Sequence, residues 1–221
     1  MKFGEYELNT VIVPVVGTNC YFLSKDNKAI LVDAAGDGEV LLEFLENRKL
    51  DLEAILVTHG HFDHIEALDI IHEKFPNAKI FMYKKEKKVV DDLHFSLMDH
   101  TLKDETKSFI TYIEDLTIIN VLNLDIKIIS TPGHTMGSSC YYVKDLNILF
   151  SGDTLFCETY GRTDLPSGNP KDIVISVAVK LMEFNDDLEV FPGHGFRTTI
   201  GHERKCNELN RDYVINWAKN A

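Results

Sequence analysis

Short apolar stretches rich in valine, isoleucine, phenylalanine and tyrosine recur along the chain, and residues that favour turns bound each of them. Stretches of about four to eight such residues are typical of β-strands. The predicted strands span residues 11–16, 20–23, 29–32, 54–57, 79–83, 126–129, 140–143 and 148–150.

Other segments space their apolar residues three or four positions apart, as the buried face of a helix requires. This spacing predicts helices at residues 39–47, 65–75 and 171–184, and residues 200–218 are expected to contain more helix. The order of elements is strands first, then strands alternating with helices, then strands again. This order favours an α/β fold in which helices pack on sheets.

Two further features concern the organisation of the chain. Residues 86–114 are polar with weak periodicity, and we expect this segment to cover one side of a site. No internal repeat or change of composition marks a second domain, so residues 1–221 are predicted to form one domain.

Charge and cysteine usage restrict the partners and the location. The formal net charge of −12 at pH 7 disfavours nucleic acid and anionic membranes, because both are bound through clustered lysine and arginine. The single basic run, residues 84–88, is expected to be a solvated helix face. The four cysteines lack C-x-x-C spacing, and the sequence shows no signal-peptide pattern and no apolar run of roughly 20 residues. A cytoplasmic location with reduced thiols is therefore expected.

The segment 58–64 carries most of the candidate chemistry, since it follows a predicted strand and precedes a predicted helix. Alternate residues of an extended segment point the same way, so His59, His61 and Asp63 can share a face. His64 turns inward as the helix begins. Groups packed this closely are suited to one or two borderline metal ions, whereas burying them without partners would be costly.

Three further polar residues follow predicted strands in the same way. His134, Asp153 and His194 each stand directly after a glycine at the end of an apolar stretch. Because this local context recurs, we predict that a rigid sheet presents all three as metal ligands at one edge.

The H-x-H-x-D-H motif at residues 59–64 and the later Gly-His, Gly-Asp and Gly-His pairs resemble the metallo-β-lactamase superfamily over nearly the whole chain. The resemblance implies a four-layer αβ/βα sandwich with two metal ions at one edge of its two sheets. The ligands that it implies are His59, His61 and His134 for the first ion, Asp63, His64 and His194 for the second, and Asp153 as the bridge.

Shorter motifs narrow the resemblance. Residues 151–156, 161–166, 192–195 and 198–204 look like those of short glyoxalase II relatives, which implies a hydrolase acting on S-acylglutathione or a similar small thioester. Full-length glyoxalase II enzymes have an added helical carboxy-terminal domain that helps to hold glutathione. We expect that domain to be absent here, so the thioesterase prediction is the firmer part and the glutathione carrier the weaker one.

The resemblance also implies the reaction. A hydroxide formed from water between the two metals would attack the thioester carbonyl. Asp63 and Asp153 would be the catalytic carboxylates, because a carboxylate can bridge two ions and neutralise part of their charge. Zinc is the expected metal, and iron or manganese would accept the same ligands. The expected partner is a small-molecule substrate, and the expected assembly is a monomer or a homodimer.

Other functions remain open at this point. A mononuclear-iron persulfide dioxygenase shares the Gly-Arg-Thr-Asp segment at 161–164, but tends to have Asp after the final histidine, where this chain has Gly195. A metal-binding module without catalysis is disfavoured because every ligand position is filled. Hydrolysis of β-lactams or nucleic acids would use the same site, but the sequence has no export signal for the first, and its acidic charge disfavours the second.

Several residues close to the motifs allow two interpretations. Phe156, Tyr160 and Arg162 follow Asp153 closely and are predicted to bind substrate. Arg162 would pair either with a substrate carboxylate or with Asp164.

Asp33 would either orient a ligand histidine or form a turn or helix cap, and Thr58 has the same ambiguity. The remaining histidines and all the cysteines are expected to be structural: His72, His94, His100, His202, Cys20, Cys140, Cys157 and Cys206.

Overall fold

The computed structural model describes residues 1–14 and 16–220, whose strands form two large sheets and a separate hairpin. The strands are, in chain order, β1 (Lys2–Phe3), β2 (Tyr6–Val13), β3 (Thr18–Lys25), β4 (Lys28–Val32), β5 (Asp51–Val57), β6 (Lys79–Tyr83), β7 (Ile110–Ile113), β8 (Ile118–Val121), β9 (Leu124–Ser130), β10 (Ser139–Val143), β11 (Ile148–Gly152), β12 (Leu155–Phe156), β13 (Thr159–Tyr160), β14 (Glu189–Pro192) and β15 (Thr198–Thr199).

Helices lie between and after these strands. They are α1 (Glu39–Arg48), α2 (Phe62–Ile65), α3 (Leu68–Lys74), α4 (Lys87–Val90), α5 (Leu93–Ser96), α6 (Asp104–Phe109), α7 (Pro170–Val174), α8 (Ile200–Cys206) and α9 (Asp212–Asn220). Helix α7 continues as a π-helical stretch, Ile175–Lys180, and a 3-10 turn, Leu181–Glu183. Within the described parts of the chain, no helix has the length and apolar character that crossing a membrane requires.

The direction of the strands brings several strand ends to one edge. The described residues form a seven-stranded sheet in the order β1 to β7, and a six-stranded sheet in the order β15-β14-β11-β10-β9-β8. Strand β10 is antiparallel to both β9 and β11, and β11 is parallel to β14. Strands β9, β11 and β14 therefore run in one direction, and their carboxyl ends reach the same edge of the second sheet.

Hydrophobic side chains hold the layers together from both faces of each sheet. In β3, Phe22 packs with the residues under α1 and α3, whereas Leu23 packs between the two sheets. In β11, Leu149 packs with α7, whereas Phe150 packs between the sheets. Fully burying one such side chain contributes about 1.5–3 kcal/mol. The layers follow the order helix, sheet, sheet, helix, which confirms the predicted αβ/βα sandwich.

The predicted strands are confirmed with shifted ends, and one predicted end is wrong. The strand predicted at residues 11–16 is the last part of β2, which stops at Val13. Pro14 has no backbone N–H to donate to a neighbouring strand, so the ladder ends before it. Val15, which the prediction included, lies outside the described residues.

The helices and the middle of the chain differ more from the predictions. The helix predicted at 65–75 is divided into α2, which begins earlier, and α3. Segment 86–114 contains α4, α5, α6 and the edge strand β7. Strands β7 and β8 were not predicted, because each is only four residues long and has no continuous apolar run.

Candidate metal centre

Four strands end where the candidate ligands stand. Strand β5 leads into His59, β9 leads into the loop that contains His134, β11 leads into Asp153, and β14 leads into His194. This confirms the prediction that all the candidate segments are exits from strands. The side chains meet where the edge of the first sheet faces that of the second.

The candidate ligands form two compact groups. The ligand atoms of His59, His61 and His134 lie within 4.8 Å of one another, and all three side chains are buried. The ligand atoms of the other group also lie within 4.8 Å of one another. That group consists of Asp63, His64 and His194.

Asp153 lies between the two groups. Its Oδ2 atom is 3.6 Å from Nε2 of His134 and 3.4 Å from Nε2 of His194. Its Oδ1 atom is 3.4 Å from Nε2 of His64. One carboxylate thus reaches both groups, as a bridging ligand must.

The atoms that face the centre of this cluster fit metal ions. Nε2 of His59, His61 and His64 and Oδ1 of Asp153 are buried and have no hydrogen-bond partner. Leaving one such group unpaired costs about 1–3 kcal/mol, so four together need a compensating partner. Imidazole nitrogen and carboxylate oxygen are the donors that zinc and similar borderline ions take.

Electrostatics favours cations at the same place. Burial and the neighbouring histidines lower the pKa of His61 to about 3, which leaves its imidazole neutral and able to donate a lone pair. Burial opposes ionisation of Asp153, but the surrounding imidazoles, His64 first, hold its pKa well below the usual range. The site therefore offers a neutral imidazole at His61 and an ionised carboxylate at Asp153. Burial opposes protonation of His194, but the Asp153 and Asp63 carboxylates raise its pKa to about 9, so a metal ion would displace a proton from it.

Asp33 orients one of the candidate ligands. Its Oδ2 atom accepts hydrogen bonds from Nδ1 of His64 and from the hydroxyl of Thr58, both at 2.8 Å, and its Oδ1 accepts from the Thr58 backbone N–H at 2.8 Å. Donation from Nδ1 leaves Nε2 of His64 free to face the cluster. Of the two interpretations left open for Asp33, orientation of a histidine is the one observed, and helix α1 begins after Gly38 instead.

His134 is oriented in a similar way by a backbone carbonyl. Its Nδ1 atom donates to the carbonyl oxygen of Arg162 at 2.8 Å, which directs Nε2 into the cluster.

Glu86 is a functional candidate that the sequence predictions missed. Its side chain is fully buried, its Oε2 accepts from the Gly60 N–H at 2.7 Å, and its Oε1 accepts from the Gly137 N–H at 2.8 Å and from the Thr135 hydroxyl. Gly60 separates His59 from His61, and Thr135 follows His134, so one carboxylate ties the two ligand loops together. Burial raises the pKa of Glu86 to about 7.

A helical pattern was the available signal for Glu86. Val89 and Val90 follow it three and four positions later and are buried with it, while the lysines around it are exposed. The expectation of a solvated face for the basic run is correct for those lysines. That expectation is wrong for Glu86, the acidic residue within the run, which is buried.

Two residues at the start of β3 also support the site and were not singled out from the sequence. The Thr18 hydroxyl donates to Oδ2 of Asp63 at 3.2 Å. The Asn19 side chain donates to the carbonyl oxygens of Pro192 and Gly195, both at 3.0 Å, and so holds the loop that carries His194.

Close packing at Gly193 explains the glycine before His194. A Cβ atom at this position would lie 2.2 Å from Oδ1 of Asp153 and 2.8 Å from Cε1 of His64. No side chain fits there without displacing both groups, so the Gly-His pair is a steric requirement of this cluster.

The predicted substrate residues lie around the cluster in different ways. The ring of Phe156 packs edge-on to the ring of His194, with centroids 6.0 Å apart. Tyr160 is half-buried against the apolar residues under α7. The Arg162 guanidinium makes a two-point ion pair with Asp164, at 2.7 and 2.8 Å, and both side chains are exposed.

The segment after Glu86 also approaches the site. Residues 97–100 line, together with Phe62 and Glu66, a cavity of about 260 Å³. Phe62 stands between His61 and Asp63 in the sequence. None of the candidate ligands lines this cavity, so the expectation that residues 86–114 cover one side of the site stays a prediction.

Comparison with known proteins identifies the family. A family model described as "Metallo-beta-lactamase superfamily" matches residues 13–194. The chain belongs to this superfamily. The metallo-β-lactamase fold binds divalent metal ions, which agrees with the donor atoms gathered here.

Similar members of the metallo-β-lactamase superfamily carry names that indicate different functions. "Probable metallo-hydrolase YqgX" of Bacillus subtilis (strain 168) is 34% identical over 202 residues, covering 90% of this chain and 95% of its own length. "Hydroxyacylglutathione hydrolase GloC" of Haemophilus influenzae is 31% identical over 210 residues, covering 90% of this chain and 97% of its own length. The solved structure of "BLEG-1 B3 metallo-beta-lactamase" is 30% identical with a TM-score of 0.83, covering 92% of this chain and 99% of that one.

Proposed function

We propose that this protein is a hydrolase that uses two divalent metal ions to cleave small thioesters of the S-acylglutathione class. Zinc is the proposed metal. The observation that carries the proposal is the set of buried, unpaired nitrogen and oxygen atoms that face one another where the strands end. The partner is a small molecule, in keeping with the acidic net charge.

The proposed ligands follow the two groups of the cluster. They are His59, His61 and His134 for the first ion, Asp63, His64 and His194 for the second, and Asp153 for both. Seven donors in two groups favour two ions over the single iron of a persulfide dioxygenase, for which one group would suffice.

Two divalent ions bound by these residues would lower the pKa of a water molecule towards neutrality and polarise a substrate carbonyl. Within the chain, Asp153 fixes the two groups at one separation, and Asp63, held by the Thr18 hydroxyl, adds a second negative charge that offsets the charge of the ions. A thiol nucleophile is not required. Burial raises the pKa of Cys20 to about 12 and that of Cys140 to about 11, so neither supplies a thiolate at neutral pH.

The substrate class rests on similarity rather than on the metal site alone. The 31% identity to hydroxyacylglutathione hydrolase GloC extends over nearly the whole of that protein. The segments 161–166 and 198–204, which look like those of short glyoxalase II relatives, support the same class. The similarity to the B3 metallo-β-lactamase supports β-lactam hydrolysis as a second candidate at the same site.

We propose that Phe156 contacts the acyl group, because its ring lies beside His194. Arg162 is proposed to exchange its ion pair with Asp164 for a carboxylate of the thiol carrier, because both partners are exposed to solvent. Tyr160 is proposed to support the hairpin that carries Phe156, since it pairs with Leu155 and packs against the apolar residues under α7.

A comparison of substrates tests the proposal. We would measure kcat/KM of the zinc-loaded protein for S-lactoylglutathione, for a small acyl thioester of another thiol, and for a chromogenic cephalosporin. The proposal predicts that the thioesters are hydrolysed and that the cephalosporin is cleaved far more slowly or not at all. Preference for the cephalosporin would contradict the thioester assignment and support the second candidate. Oxygen uptake with glutathione persulfide, measured on the iron-loaded protein, would contradict the hydrolase assignment.

A further inference from the structure

A second group of metal-binding side chains lies away from the candidate centre and shares no residue with it. It forms where the tip of the β12–β13 hairpin, Cys157 and Glu158, meets helix α8, which carries His202 and Cys206. Ligand atoms of Glu158, His202 and Cys206 lie within 4.8 Å of one another, and the Cys157 sulfur lies within the same distance of the His202 ring.

The positions of these residues explain why the donors converge. His202 and Cys206 are four residues apart on α8, so their side chains project from the same face, one turn apart. Across from them, Nε2 of His202 is 2.9 Å from Oε1 of Glu158. Three donors, from Glu158, His202 and Cys206, thus approach one point on the surface, and the Cys157 sulfur lies beside His202.

A buried carboxylate fixes the hairpin against the helix. Glu203 is fully buried, and both of its oxygens accept from the Glu158 backbone N–H, at 3.1 and 3.0 Å. It also accepts from the Thr198 hydroxyl at 2.6 Å and from the Asn207 side chain at 2.9 Å. Asn207 in turn donates to the Thr159 carbonyl at 3.0 Å. The site is therefore held on a rigid frame, with Glu203 as a positioning residue.

The donor set is suited to a thiophilic ion. A tetrahedral zinc ion with bonds of about 2.0–2.3 Å holds its ligand atoms roughly 3.3–3.8 Å apart, and the ligand atoms of Glu158, His202 and Cys206 lie within 4.8 Å of one another. Thiolate, imidazole and carboxylate are all zinc ligands, and thiolate selects against magnesium and calcium. The partly exposed side chains have the freedom to make the remaining adjustment.

We propose that Glu158, His202 and Cys206, with Cys157 beside His202, form a second, surface site for a thiophilic divalent ion, with zinc as the expected metal. The inference differs from the expectation that these cysteines and His202 are only structural. It does not depend on the proposed thioesterase function, because the site is separate in its residues and in its chemistry.

The sulfur ligands allow this site to be observed by itself. The candidate centre contains only histidine and aspartate, so a thiolate-to-metal absorption band can arise only at a cysteine site. We would load the full-length protein with zinc under reducing conditions and count bound zinc by native mass spectrometry. A separate metal-free sample would be titrated with Co²⁺ while the near-ultraviolet spectrum is recorded.

The matched variants are Cys206→Ser and His202→Ala, with His94→Ala as the control, since all three side chains are exposed and His94 is outside both groups. The proposal predicts one more equivalent of zinc and a thiolate band in the wild type and in the control. Both are lost in Cys206→Ser, and His202→Ala loses the extra equivalent. A wild type with no thiolate band, or with a zinc count equal to that of Cys206→Ser, would overturn it and leave only an exposed His202–Glu158 ion pair.

Discussion

The carboxylate of Glu86 accepts a hydrogen bond from the backbone N–H of Gly60 at 2.7 Å, inside the His59–His61 loop. Its other oxygen holds Gly137 and Thr135 in the loop of His134. The two loops that supply the first group of candidate ligands therefore share one buried anchor. This relationship leads to the first two predictions.

Glu86→Ala is expected to destabilise the protein by about 3 kcal/mol or more, because each of the three buried donors left unpaired costs roughly 1–3 kcal/mol. Urea unfolding of the zinc-loaded protein measures this loss, with Glu208→Ala as the control for an exposed glutamate. A loss of the same size in both variants would mean that Glu86 does not anchor the loops.

The raised pKa of Glu86 also predicts that the free energy of unfolding depends on pH. Burial raises its pKa from 4.5 to about 7, so between these values the unfolded chain ionises this group while the folded protein keeps it protonated. Folding therefore loses stability from this group as the pH rises from 4.5 to 7, on the order of 3 kcal/mol. The free energy of unfolding of the wild type, minus that of Glu86→Gln, should fall across this window. A flat or rising difference would contradict the assignment.

Asp33→Asn is expected to weaken zinc binding about 10- to 100-fold, because the aspartate orients Nε2 of His64. Asparagine is the suitable replacement, since residue 33 has a φ of 59° and asparagine tolerates the left-handed region. Competition with a chromogenic chelator measures the affinity, and Asp37→Asn, an exposed residue of the same loop, is the control. An unchanged affinity would show that the hydrogen bond has no such role.

Gly193→Ala is expected to abolish binding of the second ion, because the new Cβ would lie 2.2 Å from Oδ1 of Asp153. Gly195→Asn is the matched control: a Cβ there meets open space, and asparagine accepts its φ of 75°. Zinc counts by native mass spectrometry compare the two. Full zinc content in Gly193→Ala would contradict the steric requirement for glycine at this position.

The fold and the candidate ligands were predictable because both depend on local patterns. The H-x-H-x-D-H segment and the glycine-preceded His134, Asp153 and His194 each follow an apolar strand, and strand direction brings their ends together. The helical spacing of Glu86 with Val89 and Val90 indicates that Glu86 is buried, but it does not indicate what Glu86 binds. Its partners lie 26 to 51 residues away, so only tertiary contacts reveal its role.

The group of metal-binding side chains around His202 was missed in the sequence for the same reason. Cys157 and Cys206 are far apart in sequence and lack C-x-x-C spacing, so no pattern joins them before the hairpin packs on α8. Arg162 shows the opposite case, because its partner Asp164 is two residues away and sequence reasoning named it.

The central claim is that hydrolysis of a small thioester depends on the metal ions of the cluster. The most direct test follows the rate of S-lactoylglutathione hydrolysis by the zinc-loaded protein, then after chelation, then after zinc is restored, with His61→Ala in parallel. The account predicts turnover that is lost on chelation, returns with zinc, and is absent from His61→Ala at every step. Turnover that persists after complete metal removal, or no turnover by the fully loaded wild type, would contradict it.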